Sequence, residues 1–170
     1  MILGIDPGRD KTGWAMVHNT GNLAAAGIFH DGEWPAFIEA VSSPAASGIG
    51  GLGLWIKEKC GDATLSNEKV WKLDYIALGN GTGSLRAGSC LEALGSEIVL
   101  VDERGTTLAA RDLYWYLYPP SFWRRCFPRF LWGPSRALDD FAAWAIALRS
   151  IKDSGFLRSD SDLGRLINSF

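Results

Sequence analysis

The first thirty residues constrain the fold most. Three short apolar runs, Ile2-Leu3-Gly4-Ile5, Thr12-Gly13-Trp14-Ala15-Met16-Val17 and Leu23-Ala24-Ala25-Ala26-Gly27-Ile28-Phe29, are broken by Asp6-Pro7-Gly8 and by His18-Asn19-Thr20-Gly21-Asn22. Pro fixes its own φ, while Gly and Asn accept the conformations of tight turns, so these breaks read as turns between strands. Three consecutive antiparallel strands are predicted, and everything downstream has to pack on the sheet they begin.

The period then changes. Trp34, Phe37, Ile38 and Val41 fall at helical spacing, followed by a Ser/Gly/Pro/Ala-rich stretch from Ser42 to Gly53 that reads as a loop, with helix resuming over Leu54 to Cys60. Tyr75-Ile76-Ala77-Leu78 reads as a short buried strand running into Gly79-Asn80-Gly81-Thr82-Gly83-Ser84 and a helix to Leu94, and Glu97 to Val101 as the fifth strand. Thr106 is a candidate cap for a helix whose Ala109, Leu113, Tyr116 and Leu117 share a face, ended by Pro119-Pro120. A last helix starts near Ala137, with Leu138, Phe141, Ala142, Ala145, Ile146 and Arg149 at steps of three and four. Three antiparallel strands and two strand-helix units predict an α/β layer structure with a mixed five-stranded sheet and flanking helices. Residues 1–158 are expected to form one domain and 159–170 a polar tail.

Composition narrows the partners. The 170 residues carry 17 basic and 19 acidic side chains, a net charge of −2, so no global field draws in a polyanion and nucleic-acid binding would need a local basic patch. With no basic leader and no apolar run of about 18 residues, the chain is expected to be unexported, cytoplasmic and without a membrane partner. Cys60, Cys90 and Cys126 lack Cys-x-x-Cys spacing and read as reduced thiols. His18 and His30 stand alone in the hairpin region and read as structural.

The predicted elements put Asp6 at the end of the first strand, Glu103 at the end of the fifth and Asp139 in the first turn of the last helix. Each has an ordinary explanation alone: turn chemistry, a solvated strand end, or an acid at the positive end of a helix. Together they can meet at one sheet edge, and oxygen ligands of this kind suit Mg²⁺ or Mn²⁺.

Three stretches resemble one family. Ile5-Asp6-Pro7-Gly8-Arg9-Asp10-Lys11-Thr12-Gly13-Trp14-Ala15 is similar to the opening of the ribonuclease H-like Holliday-junction resolvases. Val101-Asp102-Glu103-Arg104-Gly105-Thr106-Thr107 resembles the Asp-Glu-Arg-x-Thr-Thr motif of their YqgF/RuvX branch, and Asp139-Asp140-Phe141-Ala142-Ala143-Trp144-Ala145-Ile146 resembles the closing Asp-x-apolar-Ala-Ala helix. The resemblance implies a ribonuclease H-like fold and a Mg²⁺- or Mn²⁺-dependent endonuclease. Its substrate would be structured nucleic acid, either Holliday-junction DNA or a ribosomal RNA precursor. Asp6, Glu103 and Asp139 would be catalytic metal ligands. Aligning the Ala pair selects Asp139, which flanks the apolar stripe while Asp140 points away from it; Asp140 stays a second candidate ligand. The alternative is a non-catalytic nucleic-acid-binding or assembly module on the same fold.

The chain departs from that family in its Ser42–Gly53 and Tyr118–Arg136 stretches, which read as elaborations, and in having Gly79-Asn80-Gly81 where Gly-Leu-Pro is usual. Backbone N–H groups of this loop, with Asn80, either contact a phosphate or form a plain turn. Arg9, Lys11 and Arg104 lie beside the acids in sequence, placed to orient a phosphate or to offset repulsion. Arg124, Arg125, Arg129 and Arg136, interleaved with Phe122, Trp123, Phe127, Phe130 and Trp132 and with no acid among them, suit either nucleic acid or a homodimer surface.

Overall fold

The computed structural model describes residues 1–42, 50–59, 72–119, 134 and 136–154. Among them six strands form one mixed sheet: β1 (Ile2–Pro7), β2 (Lys11–Val17), β3 (Leu23–His30), β4 (Ile56–Lys59), β5 (Tyr75–Gly79) and β6 (Ile98–Val101), in the order β4-β3-β2-β1-β5-β6. The first four pair antiparallel with their neighbours, whereas β1, β5 and β6 run parallel. Among the described residues four α-helices flank the sheet: α1 (Trp34–Ser42), α2 (Ser84–Leu91), α3 (Thr106–Leu117) and α4 (Asp139–Asp153). Parallel neighbours need a crossover, and α2 supplies the one from β5 to β6.

Side chains alternate across each strand and so divide between two cores. Leu3, Ile5, Trp14, Met16, Phe29, Ile76 and Leu78 pack with Trp34 and Phe37 of α1 and with Ala87 and Leu91 of α2. Ile2, Ala15, Val17, Ala77 and Val101 pack on the other face with Phe141, Ile146 and Ile151 of α4 and Leu113 of α3. Much of the tryptophan content serves packing: Trp14, Trp34 and Trp55 surround the stacked Phe29–Phe37 pair, whose centroids are 4.3 Å apart. Such aromatic pairs contribute about 0.5–1.5 kcal/mol beyond their buried area.

The sheet has six strands where the sequence predicts five. Ile56–Lys59, read as resumed helix, is an edge strand on β3 with Glu58 turned inward, and an inward charge on a short edge also discourages pairing with another chain. At the end of the stretch read as loop and running into the first residue read as helix, Gly50–Leu54 forms a 3₁₀ turn that buries Leu52 in the core. Thr106 does not cap α3: Gly105, at φ 82°, precedes the helix, and the Thr106 hydroxyl donates to the Glu103 carbonyl at 2.8 Å. The α3 core face runs through Thr106, Ala110, Leu113 and Tyr114, with Tyr116 and Leu117 packed against the same cluster, so of the predicted stripe Ala109 alone is exposed. α4 is buried almost all round because α3 packs on it opposite the sheet. Among the described residues no helix is long and apolar enough to cross a membrane. Cys90 is a free, half-buried thiol, while Cys60, Cys126 and the tail 159–170 lie outside the described residues.

Candidate metal centre

The strand register assembles the acids. Asp6 shares the parity of Ile2 and Gly4, so it projects toward α4. Its partner on β2 is Gly13, and one step beyond the Ile5–Leu78 pair brings Gly79 of β5 beside it. Asp6 thus stands between two glycines. A Cβ on Gly13 would lie 2.0 Å from the Asp139 carbonyl oxygen, and a Cβ on Gly79 would lie 2.1 Å from Glu103 Oε1. The missing side chains let the first residue of α4 and the Glu103 carboxylate come down on either side of Asp6.

Glu103 sits on a tightly held turn after β6. Its amide donates to Asn80 Oδ1 at 3.2 Å, and the Asn80 amide donates to the Val101 carbonyl at 3.0 Å. The Glu103 carbonyl accepts from the amide and the hydroxyl of Thr106. Arg149 Nη1 on α4 donates to the carbonyls of Asp102 and Arg104, each at 2.6 Å. The Gly79-Asn80-Gly81 loop therefore seats Glu103. Gly81, like Gly79, would clash with that carboxylate if it carried a Cβ, at 2.4 Å from Oε2.

Asp6 records this proximity electrostatically. Burial, then the negative charges of Glu103 and Asp139, push its pKa from 3.8 up to about 7, and Lys11 offsets part of the rise. Glu103 Oε1 and Asp139 Oδ2 are buried and accept no hydrogen bond among the described residues. The Lys11 ammonium lies 2.5 Å from Asp139 Oδ2 as an ion pair, without the alignment of a hydrogen bond. An unpartnered Glu103 Oε1 close to two further acids, one of them balanced by Lys11, is a donor set suited to a hard divalent cation, which would neutralise the repulsion. As placed, no three His, Cys, Asp or Glu side chains among the described residues already form one ligand shell.

Asp140 belongs elsewhere, which corrects the expectation that it points away from the core and could ligate metal. It is fully buried and bound by Arg136 through both oxygens, at 3.0 and 2.8 Å, while Oδ1 also accepts from the Phe141 amide. Arg136 also pairs with buried Glu58, which accepts from the Tyr118 hydroxyl, and lies 5.1 Å from the Phe141 ring centroid. Burial works against the Arg136 charge, but Asp140 and Glu58 outweigh it and raise the guanidinium pKa. This arginine is therefore a structural ion-pair partner. Asp139, the neighbouring residue on the helix, is the one brought to Asp6.

Of the predicted basic contacts, Lys11 joins the site directly. Arg9 is exposed on the β1–β2 turn and lines a cleft of about 190 Å³ with Thr12, Thr82, Gly83 and Arg86, where Arg86 pairs with Asp31 at 2.5 Å. Arg104 is exposed on the Glu103 turn. Arg124, Arg125 and Arg129 lie outside the described residues. Sequence reasoning missed the Glu103 seat at Gly79 and Gly81, the Arg149 strap and the Arg136–Glu58–Asp140 cluster. A cation at position 149 within an otherwise apolar stripe was the available signal for the strap. Neither the protein-family models nor the curated proteins contain a match to this chain.

Proposed function

We propose that this chain is a ribonuclease H-like, metal-dependent endonuclease of the YqgF/RuvX kind that hydrolyses phosphodiester bonds in structured nucleic acid. The observation that carries the reading is the gathering of Asp139 and Glu103 on either side of Asp6, where burial first and then the charges of these two acids raise the Asp6 pKa to about 7. The mixed sheet, with β1 between an antiparallel and a parallel neighbour, is compatible with that fold. Asp6, Glu103 and Asp139 would hold Mg²⁺ or Mn²⁺, which supplies an activated water and neutralises charge on the phosphate. Lys11 pairs with Asp139 beside these acids. Arg9, on the turn after the strand that carries Asp6, and Arg104, on the turn that carries Glu103, would orient the backbone phosphates. Cytoplasmic location and a homodimer are part of the same proposal.

The deciding experiment offers junction DNA, linear duplex and precursor ribosomal RNA to the purified protein with Mg²⁺, Mn²⁺ or chelator. Cleavage of a structured substrate that needs metal and disappears in Asp6→Asn supports the reading, and the substrate cut tells DNA from RNA. The Lys11–Asp139 ion pair favours one other reading, in which a lysine already neutralises the acids and the chain only binds nucleic acid. Binding without cleavage under every metal condition selects it.

A further inference from the structure

The two acids that flank Asp6 reach it from different parts of the chain, yet one helix holds both. Asp139 is the first residue of α4. Ten residues on, about 15 Å along the helix axis at 1.5 Å per residue, Arg149 extends to the turn after β6. There it binds the carbonyls immediately before and after Glu103, each at 2.6 Å. We propose that Arg149 is a positioning residue for Glu103, strapping its turn to the helix that carries Asp139 so that the spacing of the two carboxylates is set by a rigid element. The proposal rests on the metal-dependent reading of the site.

Two features support a positioning role over a purely stabilising one. The Arg149 side chain is half-buried at the edge of the helix, so it contributes little to the core on which the fold depends. Its guanidinium also meets main-chain oxygens and no carboxylate among its described partners. A surface ion pair could be replaced by water at little cost, but two carbonyls held by one nitrogen fix the path of the turn. Glu103 then projects over Gly79 and Gly81 with its amide on Asn80. Partners that orient a metal ligand from behind typically change metal affinity or activity by about 10–100-fold when removed.

The test compares wild type, Arg149→Met and Arg149→Lys by three measurements. These are thermal unfolding, titration of Mn²⁺ alone with free ion read by electron paramagnetic resonance, and hydrogen exchange at the Glu103 and Thr106 amides. Arg149→Met is expected to unfold cooperatively near the wild-type temperature, to bind Mn²⁺ about tenfold or more weakly, and to exchange both amides faster while amides in the middle of α4 keep their protection. Arg149→Lys keeps the charge and can donate to both carbonyls, so it should fall between the two. Unchanged Mn²⁺ affinity and exchange in Arg149→Met would overturn the proposal. So would a drop in stability with wild-type affinity per folded molecule. If the wild-type protein binds no Mn²⁺, the metal reading fails, and the exchange comparison still decides whether Arg149 holds the Glu103 turn.

Discussion

Replacing Gly79 by Ala separates the function of the site from the stability of the fold. The new methyl would lie 2.1 Å from Glu103 Oε1 and 2.9 Å from its Cγ and Cδ, whereas ordinary contacts begin near 3.4 Å. The Oε1 atom must retreat by about 1.3 Å, and as the tip of a flexible side chain it can do so. Gly79 does not have a positive φ, so alanine is not strained there and reduces unfolded-state freedom by roughly 0.4–1 kcal/mol. Stability should therefore stay near wild type. On the proposed nuclease reading, displacing the Glu103 carboxylate by about 1 Å should cost on the order of 10²-fold in rate, or about 2.7 kcal/mol of transition-state stabilisation. Gly13→Ala is the contrasting variant, because its methyl would meet the Asp139 carbonyl at 2.0 Å, where backbone has to move. Overpacking of that kind costs about 1–3 kcal/mol of stability. Denaturant unfolding, Mn²⁺ titration and cleavage of the preferred substrate on both variants check the reasoning. Gly79→Ala with wild-type Mn²⁺ affinity and turnover would show that Glu103 need not occupy its seat. Gly79→Ala as unstable as Gly13→Ala would show that the carboxylate cannot yield.

Other outcomes follow from the same geometry. Asp6 titrates near 7 folded against 3.8 as a free side chain, so the native state keeps its proton longer. Its contribution is complete below about pH 4 and is lost as pH rises through 7, at most about 4 kcal/mol, and a metal-free stability profile over that window should flatten in Asp6→Asn. An identical slope in the two proteins would refute the shifted pKa. Arg136→Met strands buried Glu58 and Asp140 and should cost about 3–5 kcal/mol in denaturant unfolding, against a much smaller loss if the pairs were solvated. Asp139→Asn should weaken Mn²⁺ binding more than Asp140→Asn, and the reverse order would transfer the ligand role to Asp140. If Arg124, Arg125 and Arg129 contact phosphates, replacing all three by Ala should weaken nucleic-acid binding and lower the slope of log affinity on log salt by about 0.7–0.9 per lost contact. An unchanged slope with loss of self-association would make that segment a dimer surface.

Local chemistry made part of this molecule legible in its sequence. β1 was visible because Ile2 to Ile5 is apolar and Asp6-Pro7-Gly8 stops it, and α4 because its apolar positions repeat at helical spacing. Asp6, Glu103 and Asp139 stood out as acids at element ends within stretches that resemble a family, and that much needs no tertiary contact. The strand Ile56–Lys59 was not visible: it has one apolar residue in four, and its pairing with β3 is a long-range contact that local periodicity does not encode. The fate of Asp139 and Asp140 was likewise decided from outside the helix. Periodicity placed both at its start, but the Arg136 guanidinium, shared with Glu58 of the edge strand, draws Asp140 into the protein. Only the sheet register could show that Gly13 and Gly79 border Asp6, and hence that two absent side chains make the space in which the acids meet. A sequence specifies which groups it carries and their local preferences; which charges are buried together depends on contacts between residues far apart in the chain.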